Sequence, residues 1–357
     1  MIVLGLVGVF MGRLNDRLGP RIVLTFCGFL MGLGYLLMSQ LSAVWQLYLF
    51  YGVVIGTGMG GTRVPLLSTV ARWFLKRRSL MTGIVLTGIS TGRLVGPAVA
   101  NWLISTYDWR AAYIVIGSVI LVIIVLAAQF LKRDPARMGQ MPYGGNEEVK
   151  QESGIETRKF TIKEVVYTRQ FWLVFTMLFC FGFCLFTITV HIVSNATDLG
   201  ISAASAASIL AAIGGASIAG NIILGGAAER IGNKQVFIIG FILMSAALFW
   251  LVIARETWML YLFAVVLGFA RGGMAASDSP LVAGLFGLNS HGLIFGVTSL
   301  GFTIGAALGP FLAGSIFDNT GSYQMAFLIS AAISIVGLVI TALLTPITGE
   351  WKQPEPG

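Results

Sequence analysis

Long stretches without a charged residue are the feature of this sequence that most limits its possible folds. Residues 114–130, 171–190, 201–228 and 292–316 contain no Lys, Arg, Asp or Glu. A helix of about 20 apolar residues crosses the roughly 30 Å hydrocarbon core of a bilayer. Only 11% of the 357 residues are charged, against about 25% in soluble domains. The sequence therefore predicts an all-α membrane protein with many spans.

Hydropathy predicts about eleven transmembrane helices. They cover residues 1–11, 22–38, 45–67, 80–104, 111–131, 171–193, 202–225, 236–253, 258–284, 292–316 and 323–344. Loops rich in Lys and Arg alternate with loops that have neither, and basic loops face the cytoplasm. We therefore expect a multi-pass protein of the cell membrane whose central connection and C-terminus are cytoplasmic.

The central connection divides the chain into two helix bundles. The expected domains are an N-terminal bundle (1–131), a cytoplasmic linker (132–169), a C-terminal bundle (170–345) and a cytoplasmic tail (346–357). Prolines, glycines and mixed charge in the linker are typical of a flexible tether.

Other classes of protein lack the residues that they need. The net charge of +8 lies in short loops rather than in a soluble basic stripe, so no nucleic-acid partner is expected. Cys180 and Cys184 share one helix face, and Cys27 lies in a different span. No His or carboxylate joins them at zinc-site spacing. No metal, cofactor or enzymatic activity is expected. The expected partners are the bilayer, a small-molecule solute and protons, and the protein is expected to be a monomer.

An internal repeat relates the two halves with an offset of 213 residues, as between Gly12 and Gly225. One loop motif, Gly12, Asp16, Arg17, Gly19 and Arg21, recurs as Gly225, Glu229, Arg230, Gly232 and Lys234. A second motif, Gly88, Gly92, Gly96 and Pro97, recurs as Gly301, Gly305, Gly309 and Pro310. One register held over separate segments indicates duplicated units, as in parallel-repeat transporters.

The same offset predicts what the first half lacks. The span 171–193 and the start of the span 202–225 have repeat partners that would precede residue 1. We therefore expect that the N-terminal bundle is missing its first helix and part of its second.

The loop at residues 12–21 resembles the signature between helices two and three of major facilitator superfamily transporters, and its recurrence at 225–234 is typical of them. The run Arg72-Trp-Phe-Leu-Lys-Arg-Arg-Ser-Leu80 before Gly83 and Gly88 is similar to the monocarboxylate porter signature, a branch that includes oxalate–formate antiporters. The resemblance implies two pseudo-twofold-related bundles and secondary transport by alternating access.

The loop motif suggests a conformational latch between the halves. Asp16 is expected near the start of the following helix, where the helix dipole favours a carboxylate. Its charges can then pair across the interface in one conformation and separate in the other. The alternative is a solvated loop that only sets topology. The glycine series permits close helix packing, and Pro97 and Pro310 loosen the backbone locally.

Charges within the spans are the candidate solute and ion pathway, because each costs about 2.5–3.5 kcal/mol at the bilayer centre. Arg93 and Arg271 lie near mid-span and could bind a carboxylate; the alternative is a structural ion pair with Asp278. Asp278 is the candidate proton carrier. Arg63 is nearer the cytoplasmic end, where it could snorkel or be structural, and His191 could titrate or lie at the interface.

Two positions depart from the monocarboxylate pattern. The resemblance implies an arginine and an aspartate in the eighth helix, where this sequence has Asn221 and Ser217. This argues against oxalate and makes simple lactate–proton symport doubtful. The leading hypothesis is a transporter of a small organic anion such as a monocarboxylate, driven by a proton or exchange gradient. The alternatives are a truncated, non-transporting membrane protein and an exporter of another solute class.

Overall fold

The computed structural model describes residues 2–144 and 162–345, and helices make up most of both ranges. Numbered in chain order, these are α1 (Ile2–Leu18), α2 (Pro20–Met38), α3 (Val44–Leu47), α4 (Gly56–Gly60), α5 (Arg63–Trp73), α6 (Arg78–Thr106), α7 (Trp109–Gln129), α8 (Ile162–Val166), α9 (Arg169–Asp198), α10 (Ala203–Ile231), α11 (Asn233–Ile253), α12 (Thr257–Phe286), α13 (His291–Thr320) and α14 (Gln324–Ala342). Nine described helices are long and apolar enough to cross a membrane. The predicted all-α membrane fold is confirmed.

The third predicted span, 45–67, is not one regular helix. It consists of α3, a π-helix over Tyr48–Ile55, α4, and then α5, which begins only at Arg63. Glycines at positions 56, 58, 60 and 61 disfavour a continuous helix because glycine loses more backbone freedom on folding than any other residue. The equivalent stretch of the second half is uninterrupted in α12. Arg63 is the first residue of the helix that follows the break.

The repeat is visible in the positions of the helix ends. α1 ends at Leu18 and α10 at Ile231, and α6 begins at Arg78 where α13 begins at His291. The turns that follow α1 and α10 contain Gly19 with φ +89° and Gly232 with φ +91°. Residues that carry a side chain rarely adopt this backbone conformation, which explains the glycine at both turns.

The two halves differ in how well their helices are covered. A large buried core lies mainly in the second half, around Phe181, Phe237, Phe241 and Phe263. There α9 packs along α13. In the first half no described helix takes the equivalent place beside α6, and residues 91–99 are exposed.

The start of the expected linker is attached to the first bundle. The amide of Tyr143 donates to the carbonyl of Trp73 at 2.9 Å, and the amide of Leu75 donates back to Tyr143 at 3.1 Å. Residues 132–144 therefore do not behave as a free tether in the structure. The rest of the expected linker, 145–161, and the expected tail, 346–357, lie outside the described residues.

Candidate functional site

Two carboxylates join the halves at one membrane face. The Asp16 carboxylate accepts hydrogen bonds from the amides of Gly292 (3.3 Å) and Leu293 (2.9 Å), at the start of α13. The Glu229 carboxylate accepts from the amides of Ser79 (2.7 Å) and Leu80 (3.4 Å), at the start of α6. All three positions of one contact are repeat equivalents of those in the other. We call the two contacts the latch, and the membrane face on which they lie the latch face.

The latch differs from the expected charge pairing. Asp16 lies in the last turn of α1, not near the start of α2. It binds the N-terminus of a helix in the other half, where the free amides and the helix dipole favour a carboxylate. A helix dipole does favour the Asp16 carboxylate, but the helix is α13 of the other half and not the expected α2. The packing of the halves brings the start of α13 next to Asp16.

Small residues allow the helices of the latch to touch. A Cβ placed on Gly12 would meet the backbone of Gly292, and one on Gly83 would meet the backbone of Asn221. A Cβ on Gly225 would lie 3.1 Å from the Ser79 carbonyl. These contacts bring α1 against α13 and α10 against α6, so the halves meet along two repeat-equivalent helix pairs.

The basic residues of the motif act within each half. The Arg21 side chain donates to the Gln129 side chain at 2.8 Å, at the end of α7. The Lys234 ammonium donates to the Ala342 carbonyl at 2.8 Å, at the end of α14. Arg21 and Lys234 are repeat equivalents, as are Gln129 and Ala342. The other two basic positions, Arg17 and Arg230, are exposed.

An ion-pair network that the sequence reasoning missed supports the first-half contact of the latch. The Arg72 guanidinium lies 2.9 Å from Asp16 and 3.1 Å from Asp134, and Arg133 lies 3.2 Å from Asp134. The repeat equivalent of Arg72 is Leu285, so the network has no copy at Glu229. It connects the latch to the start of the linker.

A cavity of about 350 Å³ lies between the halves. Gly8 and Gly296 line it, each one helical turn from the latch residues Gly12 and Gly292. The latch therefore separates the cavity from the membrane face nearest to it, the latch face. Aromatic and aliphatic side chains form much of the wall, including Phe181, Phe186 and Phe302.

Five of the sequence-predicted pathway residues line this one cavity. They are Arg63, Arg93, Ser217, Asn221 and Arg271. The Arg271 guanidinium donates to the Ser217 hydroxyl at 3.0 Å, and the Asn221 amide donates to the Ser90 hydroxyl at 3.3 Å. Thus the two positions that depart from the monocarboxylate pattern both contact cavity residues.

Asp278 pairs with Arg63, and not with either of the two arginines considered as partners. Arg63 belongs to the first half and Asp278 to the second, so their hydrogen-bonded ion pair crosses the interface. The Arg63 guanidinium also lies 5.8 Å from the Phe295 ring centre and 5.6 Å from that of Phe302. Asp278 is 2% exposed, whereas Arg63 is 28% exposed. The carboxylate is therefore buried behind an arginine that reaches the cavity.

The two histidines have different surroundings. His191 is not among the residues that line the cavity; it lies 3.0 Å from the Pro310 carbonyl, and its ring is tilted against that of Tyr323 with 5.0 Å between the ring centres. His291, which the sequence reasoning did not consider, is fully buried at the start of α13 and lies 3.0 Å from the Ser279 hydroxyl. The sequence signal that could have singled out His291 is the repeat, which makes it the equivalent of the basic residue Arg78.

The glycine series behaves differently in the two halves. A Cβ on Gly301, Gly305 or Gly309 would meet backbone carbonyls of α9, at Phe175, Phe179 and Phe183. A Cβ on Gly88, Gly92 or Gly96 would meet no described atom within 4 Å. Pro97 and Pro310 lie inside α6 and α13.

Two helical halves around a charged cavity, in contact with each other at one face, are typical of secondary transporters. The model of the Major Facilitator Superfamily matches residues 1–196 and 192–357. The chain belongs to this superfamily, in its monocarboxylate-transporter-like branch.

The relatives and structural neighbours are transporters rather than enzymes. Monocarboxylate transporter 13 of Rattus norvegicus is 25% identical over 339 residues, covering 91% of this chain and 73% of the relative. The human organic anion transporter MFSD10 (TETRAN) matches with a TM-score of 0.75 at 16% identity, over 95% of this chain and 81% of that one. The proton:xylose symporter XylE matches with a TM-score of 0.78 at 15% identity, over 97% and 84%. At these identities the structures establish the shared fold.

Proposed function

We propose that this protein carries a small organic anion across the cell membrane by alternating access. The observation that carries the proposal is one cavity between the halves that Arg93 and Arg271 line from opposite sides of the interface. Neither arginine has an acidic partner among the described residues. A guanidinium favours a carboxylate, to which it can donate two parallel hydrogen bonds. The apolar wall then contacts the hydrocarbon part of the anion.

The latch provides the gate that alternating access requires. It closes the interface at the basic face, which the distribution of Lys and Arg assigns to the cytoplasm. Capping contacts of about 0.5–2 kcal/mol each are strong enough to hold one conformation and weak enough to break in the other. The relatives named as monocarboxylate and organic anion transporters are consistent with an anionic solute.

Asp278 is the proposed proton carrier. Its pairing with Arg63 spans both halves, so protonation of the carboxylate removes an ionic contact across the interface. A proton gradient can therefore drive the conformational change through this pair. Exchange of two anions is the alternative driving force.

The test is uptake of labelled carboxylates by the purified protein in proteoliposomes, with and without a pH gradient. Arg93→Ala and Arg271→Ala are each expected to reduce uptake at least about tenfold, because each removes a charge-assisted hydrogen bond to the anion. Arg255→Ala, an exposed arginine outside the cavity, is the control and should leave uptake unchanged. Unchanged uptake in both cavity variants would refute the proposed binding role. If the unaltered protein takes up no carboxylate, the non-transporting alternative is favoured.

The coupling role has a separate test. Asp278→Asn is expected to abolish the response of uptake to a pH gradient, and Asp278→Glu to retain it. A full pH response in Asp278→Asn, with normal amounts of protein in the liposomes, would exclude Asp278 as the carrier.

A further inference from the structure

The charges around the cavity do not balance. Three arginines, Arg63, Arg93 and Arg271, line it, and Asp278 is the acidic residue paired with one of them. Arg63 is the charged neighbour of Arg93, and no described carboxylate lies within ion-pair distance of Arg93 or Arg271. Two positive charges therefore remain in excess. Charges at membrane depth are costly unless they are paired, so the site requires compensating negative charge.

The two unpaired arginines approach the same part of α10. The Cβ position of Gly214 lies 3.8 Å from the Arg93 Cβ, and the Ser217 hydroxyl accepts from the Arg271 guanidinium at 3.0 Å. Residues 214 and 217 are separated by about 4.5 Å along the helix axis. Arg93 belongs to the first half and Arg271 to the second. Both residues also line the one cavity, so a single bound molecule lies next to both side chains.

We propose that the transported solute is a dicarboxylate dianion of about the size of succinate, longer than oxalate, with one carboxylate bound by Arg93 and the other by Arg271. This inference rests on the proposed function and specifies its substrate class. A dianion neutralises the excess charge, whereas a monoanion leaves one arginine uncompensated. Because the two carboxylates are bound by different halves, the solute also contributes to the contact between the halves.

The internal repeat alone does not lead to this pair of arginines. The repeat equivalent of Arg93 is Ala306 and that of Arg271 is Gly58, so the pair is not a product of the duplication. Each arginine is therefore present in only one of the two halves. The geometry brings the two to a single cavity of about 350 Å³, a size that accommodates a small organic acid.

The experiment compares succinate with its monomethyl ester, which is similar in size but carries one carboxylate. Both compete at neutral pH against uptake of a labelled carboxylate into proteoliposomes that contain the full chain. Succinate is expected to compete at least about tenfold better, since one charge-assisted bidentate contact is lost with the ester. In Arg93→Ala and Arg271→Ala the difference should fall below about threefold, because only one anchoring guanidinium remains.

Two further variants keep the test decisive. Arg93→Lys and Arg271→Lys retain the charge and should preserve the preference for succinate even where total uptake falls. Arg255→Ala should preserve both the total uptake and the preference for succinate. Equal competition by succinate and its ester in the unaltered protein would overturn the dicarboxylate assignment and leave the proposed anion transport intact. If no carboxylate is taken up or competes, the proposed function itself fails.

Discussion

At the scale of single residues, the charged side chains at the cavity and directly behind it differ between the two halves. Arg63, Arg93, Arg271 and Asp278 correspond by the repeat to Ala276, Ala306, Gly58 and Pro65. The latch residues, in contrast, recur in both halves. The contacts of the latch are therefore repeated in both halves, whereas each of these four ionic groups is present in one half only.

The Arg63–Asp278 pair predicts unequal effects of removing either partner. Arg63→Met removes the opposite charge from the buried Asp278, which keeps only the hydrogen bond from the Ser279 amide, and should lower the free energy of unfolding by about 3 kcal/mol or more. Asp278→Asn should cost less, because Arg63 is 28% exposed and retains access to the cavity.

The measurement is thermal unfolding in detergent, with the double variant Arg63→Met/Asp278→Asn completing a mutant cycle. The double variant should be more stable than Arg63→Met alone. Purely additive losses would show that the two side chains do not stabilise one another.

The latch predicts that Asp16→Ala opens the latch face. Loss of a helix cap costs about 1 kcal/mol, which corresponds to roughly a fivefold shift of the conformational equilibrium. A Thr62→Cys reporter in the cavity should then react faster with an impermeant thiol reagent applied at that face. Background is low because Cys27, Cys180 and Cys184 are buried.

Asp108→Ala is the matched control for the latch variant. Asp108 also caps a helix, accepting from the Ala111 amide at 2.6 Å, but cap and helix belong to the same half. Its loss should leave the reporter's reactivity unchanged. Equal acceleration in both variants would mean that general loosening, rather than the latch, controls access.

At the scale of elements, α6 and α13 are repeat equivalents with different surroundings. α13 packs Gly301, Gly305 and Gly309 against the backbone of α9, whereas Gly88, Gly92 and Gly96 of α6 face open space among the described residues. The same sequence pattern thus gives a close helix contact in one half and an exposed groove in the other. A pattern that permits packing does not specify the partner helix.

Alanine substitutions distinguish the two environments. Gly301→Ala should destabilise the protein by about 1–3 kcal/mol, because its Cβ would overlap the Phe175 carbonyl. Gly88→Ala should have little effect or stabilise slightly, since alanine favours a helix. Thermal unfolding of the two variants measures the difference. An equal loss at Gly88 would show that this face of α6 is covered in the folded protein.

At the scale of the whole molecule, the proposed alternating access requires that the contacts between the halves at the latch face break and re-form. The Ser79 hydroxyl of the first half donates to the Asn233 side chain of the second at 2.7 Å, beside the Glu229 contact. A cross-link at this place should hold the latch face closed.

The variant Ser79→Cys/Asn233→Cys is expected to lose uptake on oxidation and to regain it on reduction. Ser245→Cys/Ser334→Cys is the control, because those hydroxyls also lie 2.8 Å apart but join α11 and α14 within the second half. Cross-linking there should leave uptake unaffected. Continued uptake with the Ser79–Asn233 disulfide formed would refute the moving latch. Disulfide formation is confirmed by mass analysis in each case.

The sequence by itself determined the membrane-spanning helices, the 213-residue repeat and the glycine turns at Gly19 and Gly232. These follow from hydropathy and local backbone preference, which act over one helix or one turn. Only the tertiary structure decided that Asp16 caps α13, that Asp278 pairs with Arg63, and that Arg93 and Arg271 line one cavity. Such contacts join residues more than 170 positions apart, so their partners depend on how helices pack, and hydropathy does not encode that choice.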